Sequence, residues 1–107
     1  MSMAIFKKRG RFMALAIISD NPGVSLADLT EMLGREEAIT LLPAISDLKA
    51  NRLVRTEYDP PILVKEPFSN KKVEFRRPRH YITERGAEVY DYLKEVSRKL
   101  EEKEVKA

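Results

Sequence analysis

The chain has 107 residues, a formal net charge of +3, 35% charged and 43% hydrophobic residues, and neither cysteine nor tryptophan. This length suits one small domain, residues 1–107, with a modest core. The absence of cysteine excludes a disulfide framework and thiolate chemistry, and no apolar run approaches the ~18 residues of a membrane span.

These features fit a reducing cytoplasm. The apolar run Met13–Ile18 is preceded by basic residues but not followed by a small-residue cleavage site, so no secretory signal is expected. The net charge is unevenly spread. Residues 1–12 carry +4, residues 13–59 carry −4, residues 60–85 carry +4 and residues 86–107 carry −1.

In chain order, the spacing of Phe12, Leu15, Ala16 and Ile18-Ser19 predicts a first helix over residues 6–19. Asp20-Asn21-Pro22-Gly23 is a turn signal. A helix–turn–helix is expected over residues 25–52. Ser25 is placed as N-cap with Asp28 at the capping-box distance, and Val24 and Leu29 are spaced for a hydrophobic staple. Leu26, Leu29 and Leu33 share one face of the short helix, which stops at Leu33-Gly34. Ile39, Leu42, Ile45 and Leu48 recur at helical spacing in the second.

Pro43 interrupts that second helix, since proline removes a donor and disfavours helical geometry at the residue before it. One reading starts the helix near Arg35 and kinks it at Pro43. The other, favoured, starts it near Thr40 as cap, with Pro43 in the first turn and Arg35–Ile39 a separate short turn.

Residues 53–82 predict a long two-stranded ribbon, bent at Asp59-Pro60-Pro61. Pro67 to Asn70 is expected to make the turn, and a hairpin centred on Ser69-Asn70 would set Val64 near Phe75 and Tyr58 near Tyr81. Its prolines belong at edges or bulges. Thr83 caps a last helix over residues 83–103, with Ile82 and Ala87 as staple and Gly86 in the capping-box position. The charged end, Lys99–Ala107, is expected to fray. The fold class is α+β, mostly helical.

The residues LADLTEMLG, an apolar-spaced helix, ISDLKANRLVRTEY and the later HYITERGAEVYDYL resemble successive parts of winged helix–turn–helix regulators of the MarR and PadR type. The match spans about residues 8–97. The resemblance implies a long two-stranded wing touching the backbone or minor groove of DNA, a recognition helix in the major groove, and a long C-terminal helix that builds a symmetric dimer. Base reading would then fall to Arg35, Thr40, Ala44, Asp47 and Lys49. The same helix face also shows Glu36, Glu37 and Asn51. An acidic face opposes approach to a polyanion, although an acid can accept from a cytosine amino group.

Basic residues mark the wing: Lys65, Lys71, Lys72, Arg76, Arg77 and Arg79, with Phe68, Phe75 and His80 interleaved. A basic stripe is the footprint of phosphate contact; it also serves as a charged edge that blocks sheet association. Lys7, Lys8, Arg9 and Arg11 form an N-terminal arm able to grip a second phosphate stretch, or simply a solvated arm. Tyr90, Leu93, Val96 and Leu100 form a seam on the last helix suited to a dimer, or to packing on the first helix.

Catalysis is not expected, with one histidine, no cysteine, no Gly-rich phosphate loop and no metal-ligand spacing. His80 reads as an ordinary strand residue. No cofactor or metal is implied. The expected partners are double-stranded DNA and a second copy of the chain, with no membrane. The alternative is a winged-helix module that docks a protein partner and binds little or no DNA.

Overall fold

The computed structural model describes residues 9–106, with side chains for residues 10–101. Phe6, Lys7 and Lys8 lie outside the described residues, as does the side chain of Arg9. In chain order the elements are α1 (Arg9–Asp20), α2 (Leu26–Leu33), α3 (Arg35–Thr40), α4 (Leu42–Ala50), β1 (Val54–Tyr58), β2 (Ile62–Lys65), β3 (Lys72–Phe75), β4 (Pro78–Ile82) and α5 (Glu84–Lys106). No helix among the described residues is long and apolar enough to cross a membrane.

The core is built from Leu15 and Ile18 of α1, Leu29 of α2, Leu48 of α4 and Leu53 at the entry to β1, all essentially without solvent contact. Each such burial contributes roughly 1.5–3 kcal/mol before the cost of ordering the chain. Asn21 closes α1 by donating to the Ile17 carbonyl from its backbone N–H and its amide. Gly23 then takes φ +83°, and Val24 bridges to His80.

The cap of α2 is complete. Ser25 Oγ accepts from the Asp28 N–H at 3.3 Å, and Asp28 Oδ2 accepts from the Ser25 N–H at 3.0 Å. That backbone bond holds the Asp28 carboxyl below its usual range, against the opposing effect of burial. The staple residues Val24 and Leu29 are both buried.

The second half of the motif is close to the favoured reading, with two corrections. Residues Arg35–Thr40 form a helix rather than a turn, and Thr40 is not the cap of α4. Its hydroxyl instead donates to the Glu37 carbonyl at 2.7 Å. The break falls at Leu41, which keeps αR geometry, and Pro43 sits in the first turn of α4, where its missing N–H costs least. The buried stripe is also different. Ala38, Leu41, Ala44, Ile45 and Leu48 face the core, while Ile39 and Leu42 are exposed. Only Gly34 separates α2 from α3, and the small Ala38 is fully buried.

The ribbon consists of two antiparallel ladders, β1 with β4 and β2 with β3. Val64 pairs with Val73 and Ile62 with Phe75, while Tyr58 pairs with Pro78 and Arg55 with Tyr81. The expected register is therefore wrong. The turn is not centred on Ser69-Asn70: the ladder register and the bond from the Glu66 N–H to the Lys71 carbonyl place the centre of the reversal between Phe68 and Ser69. Between the ladders the first strand carries one extra residue, at Pro60-Pro61, which have no N–H to pair.

At the start of α5, Thr83 Oγ1 accepts from the Gly86 N–H at 2.9 Å and donates to the Arg52 carbonyl at 2.7 Å. The molecule measures 64 × 26 × 21 Å along its principal axes.

Candidate nucleic-acid interface

Five of the six basic residues expected on the wing are exposed and form no salt bridge. Lys65, Lys71 and Lys72 surround the turn, and Arg76 and Arg77 lie between the two ladders. The structure thus brings five unpaired cations onto one projecting ribbon. Arg77 also borders an apolar hollow between α2 and the ribbon, with Leu26, Ala27, Thr30, Phe75 and Pro78.

Arg79 corrects the expectation made for it. Its Nε donates to Asp59 Oδ1 at 2.7 Å, and an η nitrogen donates to the Gly23 carbonyl at 3.1 Å. The bond to Asp59 raises the guanidinium pKa further. Arg79 therefore ties the base of the wing to the loop between α1 and α2, and its fork is used within the chain.

Two assignments on the helix–turn–helix change as well. Ala44 is buried, because the inward stripe of α4 includes it, so it has no surface for a base edge. Asp47 is joined to Arg11, whose Nε lies 3.0 Å from its Oδ2. That contact also removes Arg11 from the expected arm: its side chain is only 17% exposed and braces α1 against α4. Arg35, Thr40 and Lys49 remain exposed, with Glu36, Glu37, Ile39, Leu42 and Ser46 on the same two helices. Neutralising Asp47 makes this surface less acidic than its sequence suggests.

His80 is buried, and its Nδ1 lies 3.0 Å from the Thr56 hydroxyl across the β1–β4 ladder. Burial, and secondarily the charge of Lys49, lowers its pKa. It is a core strand residue. The guanidinium of neighbouring Arg55 covers the Tyr81 ring at 4.6 Å and pairs with Glu57. Among the described residues no group of three or more acids and histidines could hold a metal ion.

The expected seam on α5 divides. Tyr90 packs within the chain, its ring 6.0 Å from that of Phe12 and covered by the Lys94 ammonium at 4.6 Å. Its assignment to a dimer contact is corrected accordingly. Leu93 is half-buried, while Val96 and Leu100 are exposed together with Tyr92. Exposed Tyr92 went unnoticed in the sequence, although it is spaced four residues from Val96 and eight from Leu100.

No protein-family model matches the chain, and no curated protein sequence matches it. Solved structures do. A MepR variant from a multidrug-resistant S. aureus clinical isolate is similar with a TM-score of 0.65 and 15% identity, over 92% of this chain and 63% of the other. The transcriptional regulator SlyA matches with a TM-score of 0.59 and 21% identity, over 94% and 61%. A MarR protein from Peptoclostridium difficile matches with a TM-score of 0.57 and 26% identity, over 88% and 54%. The fold is therefore a winged helix of the MarR type, as the sequence motifs imply. The chain spans a little over half to under two thirds of the length of these structures.

Proposed function

We propose that the chain is a homodimeric transcriptional regulator that binds duplex DNA through the wing and the exposed residues of α3 and α4. The observation that carries this reading is the set of five exposed, unpaired cations, Lys65, Lys71, Lys72, Arg76 and Arg77, on a ribbon that projects from a winged-helix body. DNA presents about one charge per 1.7 Å of duplex axis, and neutralising it releases condensed counterions. Arg35, Thr40 and Lys49 are placed to reach base edges or phosphates from the helix side. Lys7, Lys8 and Arg9 would add to the same electrostatic contact.

The test is binding of a mixed-sequence duplex across a salt series, for the native chain and for a variant combining Lys71→Ala, Lys72→Ala, Arg76→Ala and Arg77→Ala. With two wings on the duplex, loss of four phosphate contacts on each lowers the slope of log affinity against log salt by roughly 7. Equal affinity and equal slope in the two proteins would remove the wing from the binding surface.

A second reading has its own support. Met13, Met32, Ile39 and Leu42 are exposed beside Glu36 and Glu37. Exposed apolar residues near acids suit a protein partner better than a phosphate backbone. Failure of the native chain to bind DNA even at low salt would favour that reading.

A further inference from the structure

The tip of the wing carries a residue that the fold does not need. Glu66-Pro67-Phe68-Ser69 closes through a bond from the Ser69 N–H to the Glu66 carbonyl at 3.4 Å, and Phe68 sits at φ +69°. This is a type II turn. Proline fits its second position, and its third demands positive φ, where glycine or asparagine is the usual occupant. A bulky side chain in that region is a conformational outlier. Nothing within the chain compensates for it, because the Phe68 ring is fully exposed, at 109% of its reference surface.

The conformation is imposed by the turn's bonding. The Glu66 N–H donates to the Lys71 carbonyl at 2.9 Å, and the Lys71 N–H to Ser69 Oγ at 3.0 Å. A strained residue that its surroundings hold in place points to a role outside folding. Around this ring stand Lys65, Lys71 and Lys72, all exposed and none in a salt bridge. The tip therefore offers an exposed aromatic on a turn flanked by cations.

We infer that Phe68 is a wedge: as the flanking lysines engage phosphates, its ring enters the minor groove and inserts between two base pairs, unstacking them and kinking the duplex. This rests on the DNA-binding reading above and adds to it a specific deformation of the DNA. The minor groove, about 6 Å wide, admits a ring edge-on. Apolar side chains that enter it part base steps and bend the duplex toward the major groove. Pyrimidine–purine steps unstack most readily, so the wedge selects TA and CA steps without reading a base edge. A positively charged tip with one aromatic suits this substrate because the lysines and the ring act on different parts of it.

The test uses the full chain and two substitutions. Phe68→Gly removes the ring and suits the positive φ, so it leaves the fold intact. Phe68→Trp supplies a fluorophore in a chain that has no tryptophan. The probes are 30-base-pair duplexes with several TA steps, carrying 2-aminopurine beside one step and a donor–acceptor pair at the ends. The native chain is expected to raise 2-aminopurine fluorescence and shorten the end-to-end distance. DNA is expected to quench the Phe68→Trp emission.

Phe68→Gly is expected to bind about 10-fold more weakly with an unchanged salt slope, and to produce neither DNA signal at saturation. If native and Phe68→Gly proteins give the same DNA signals at saturation, the wedge is wrong and the DNA-binding reading stands. If the native chain binds no duplex at low salt, both fail. A blue shift of Phe68→Trp on phosphatidylserine vesicles, without quenching by DNA at the same salt, would assign the tip to an anionic lipid surface and overturn the wedge.

Discussion

The carbonyl oxygen of Leu53 occupies the space where a side chain on Gly86 would begin, 2.0 Å from the ideal Cβ position. The same carbonyl accepts from the Thr83 N–H at 3.0 Å. The start of α5 is thus pressed against the chain as it enters β1, and the orientations of the last helix and the wing are set at one point.

Gly86→Ala is therefore expected to destabilise the fold, although alanine is the better helix former by roughly 1 kcal/mol. The obstacle is backbone, which cannot rotate away, and Ile82 Cγ1 stands 2.8 Å from the same Cβ. Overpacking of this kind costs about 3 kcal/mol. Chemical denaturation measures it. An unchanged midpoint would mean that α5 shifts freely on β1.

The arginines of the wing separate into two kinds. Arg76→Ala and Arg77→Ala are expected to leave the melting temperature unchanged, and each, present on both wings of the dimer, to lower the salt slope of DNA binding by about two. Arg79→Ala is expected to lower the melting temperature, since it breaks the half-exposed pair with Asp59 and the bond to the Gly23 carbonyl. Paired melting and DNA-titration experiments check the contrast. Equal melting temperatures for all three variants would return Arg79 to the DNA-facing set.

This contrast also marks how far the sequence could be read. The helix–turn–helix, the wing and the Ser25 cap were legible because each rests on local signals: apolar period, proline placement and a hydroxyl three residues from a carboxylate. What failed depended on distant partners. Nothing near Arg11 announces Asp47, and nothing near Arg79 announces Asp59, so both arginines read as free cations. The buried stripe of α3 and α4 was mistaken because Ile39 and Leu42 repeat at the same spacing as Ala38 and Leu41, and only the close approach of α2 decides between them. The ribbon register slipped because the reversal centres on Phe68-Ser69, one residue before Ser69-Asn70, and the extra residue at Pro60-Pro61 shifts the second ladder again. The phenylalanine at positive φ argues against the turn that forms.

Stability below about pH 6.5 is expected to follow His80. Burial, then Lys49, lowers its folded pKa below the ordinary value of 6.5. Between the two values the unfolded chain binds a proton that the folded chain does not, so stability rises with pH and levels off above about 6.5. Acidification lowers it until the folded pKa is passed. Asp28, also lowered, acts in the same direction in a more acidic window: its contribution is full above the unfolded value near 3.8 and is lost as pH falls through its folded value. Melting curves of the native chain and His80→Gln, with the single imidazole followed by NMR, resolve the histidine's share. Equal pH dependence in both proteins would show that His80 titrates alike in the folded and unfolded states.

The far half of α5 provides the last prediction. The helix has 23 residues, about 34 Å at 1.5 Å per residue. Its inward contacts are made by Val89 and Tyr90, and residues 94–101 are all exposed. Tyr92, Val96 and Leu100 recur every four residues, so they form one apolar line on that exposed stretch. An unpartnered line of this kind gains most by meeting its own copy across a two-fold axis, where each residue is covered at once. Analytical ultracentrifugation of the native chain is expected to give a dimer, and Val96→Asp with Leu100→Asp a folded monomer, because two carboxylates on each facing surface repel and resist desolvation. The monomer should bind duplex DNA with about half the native salt slope, having lost one of two wings. A native chain that sediments as a monomer at all micromolar concentrations would place the covering surface elsewhere and remove the symmetric operator with it.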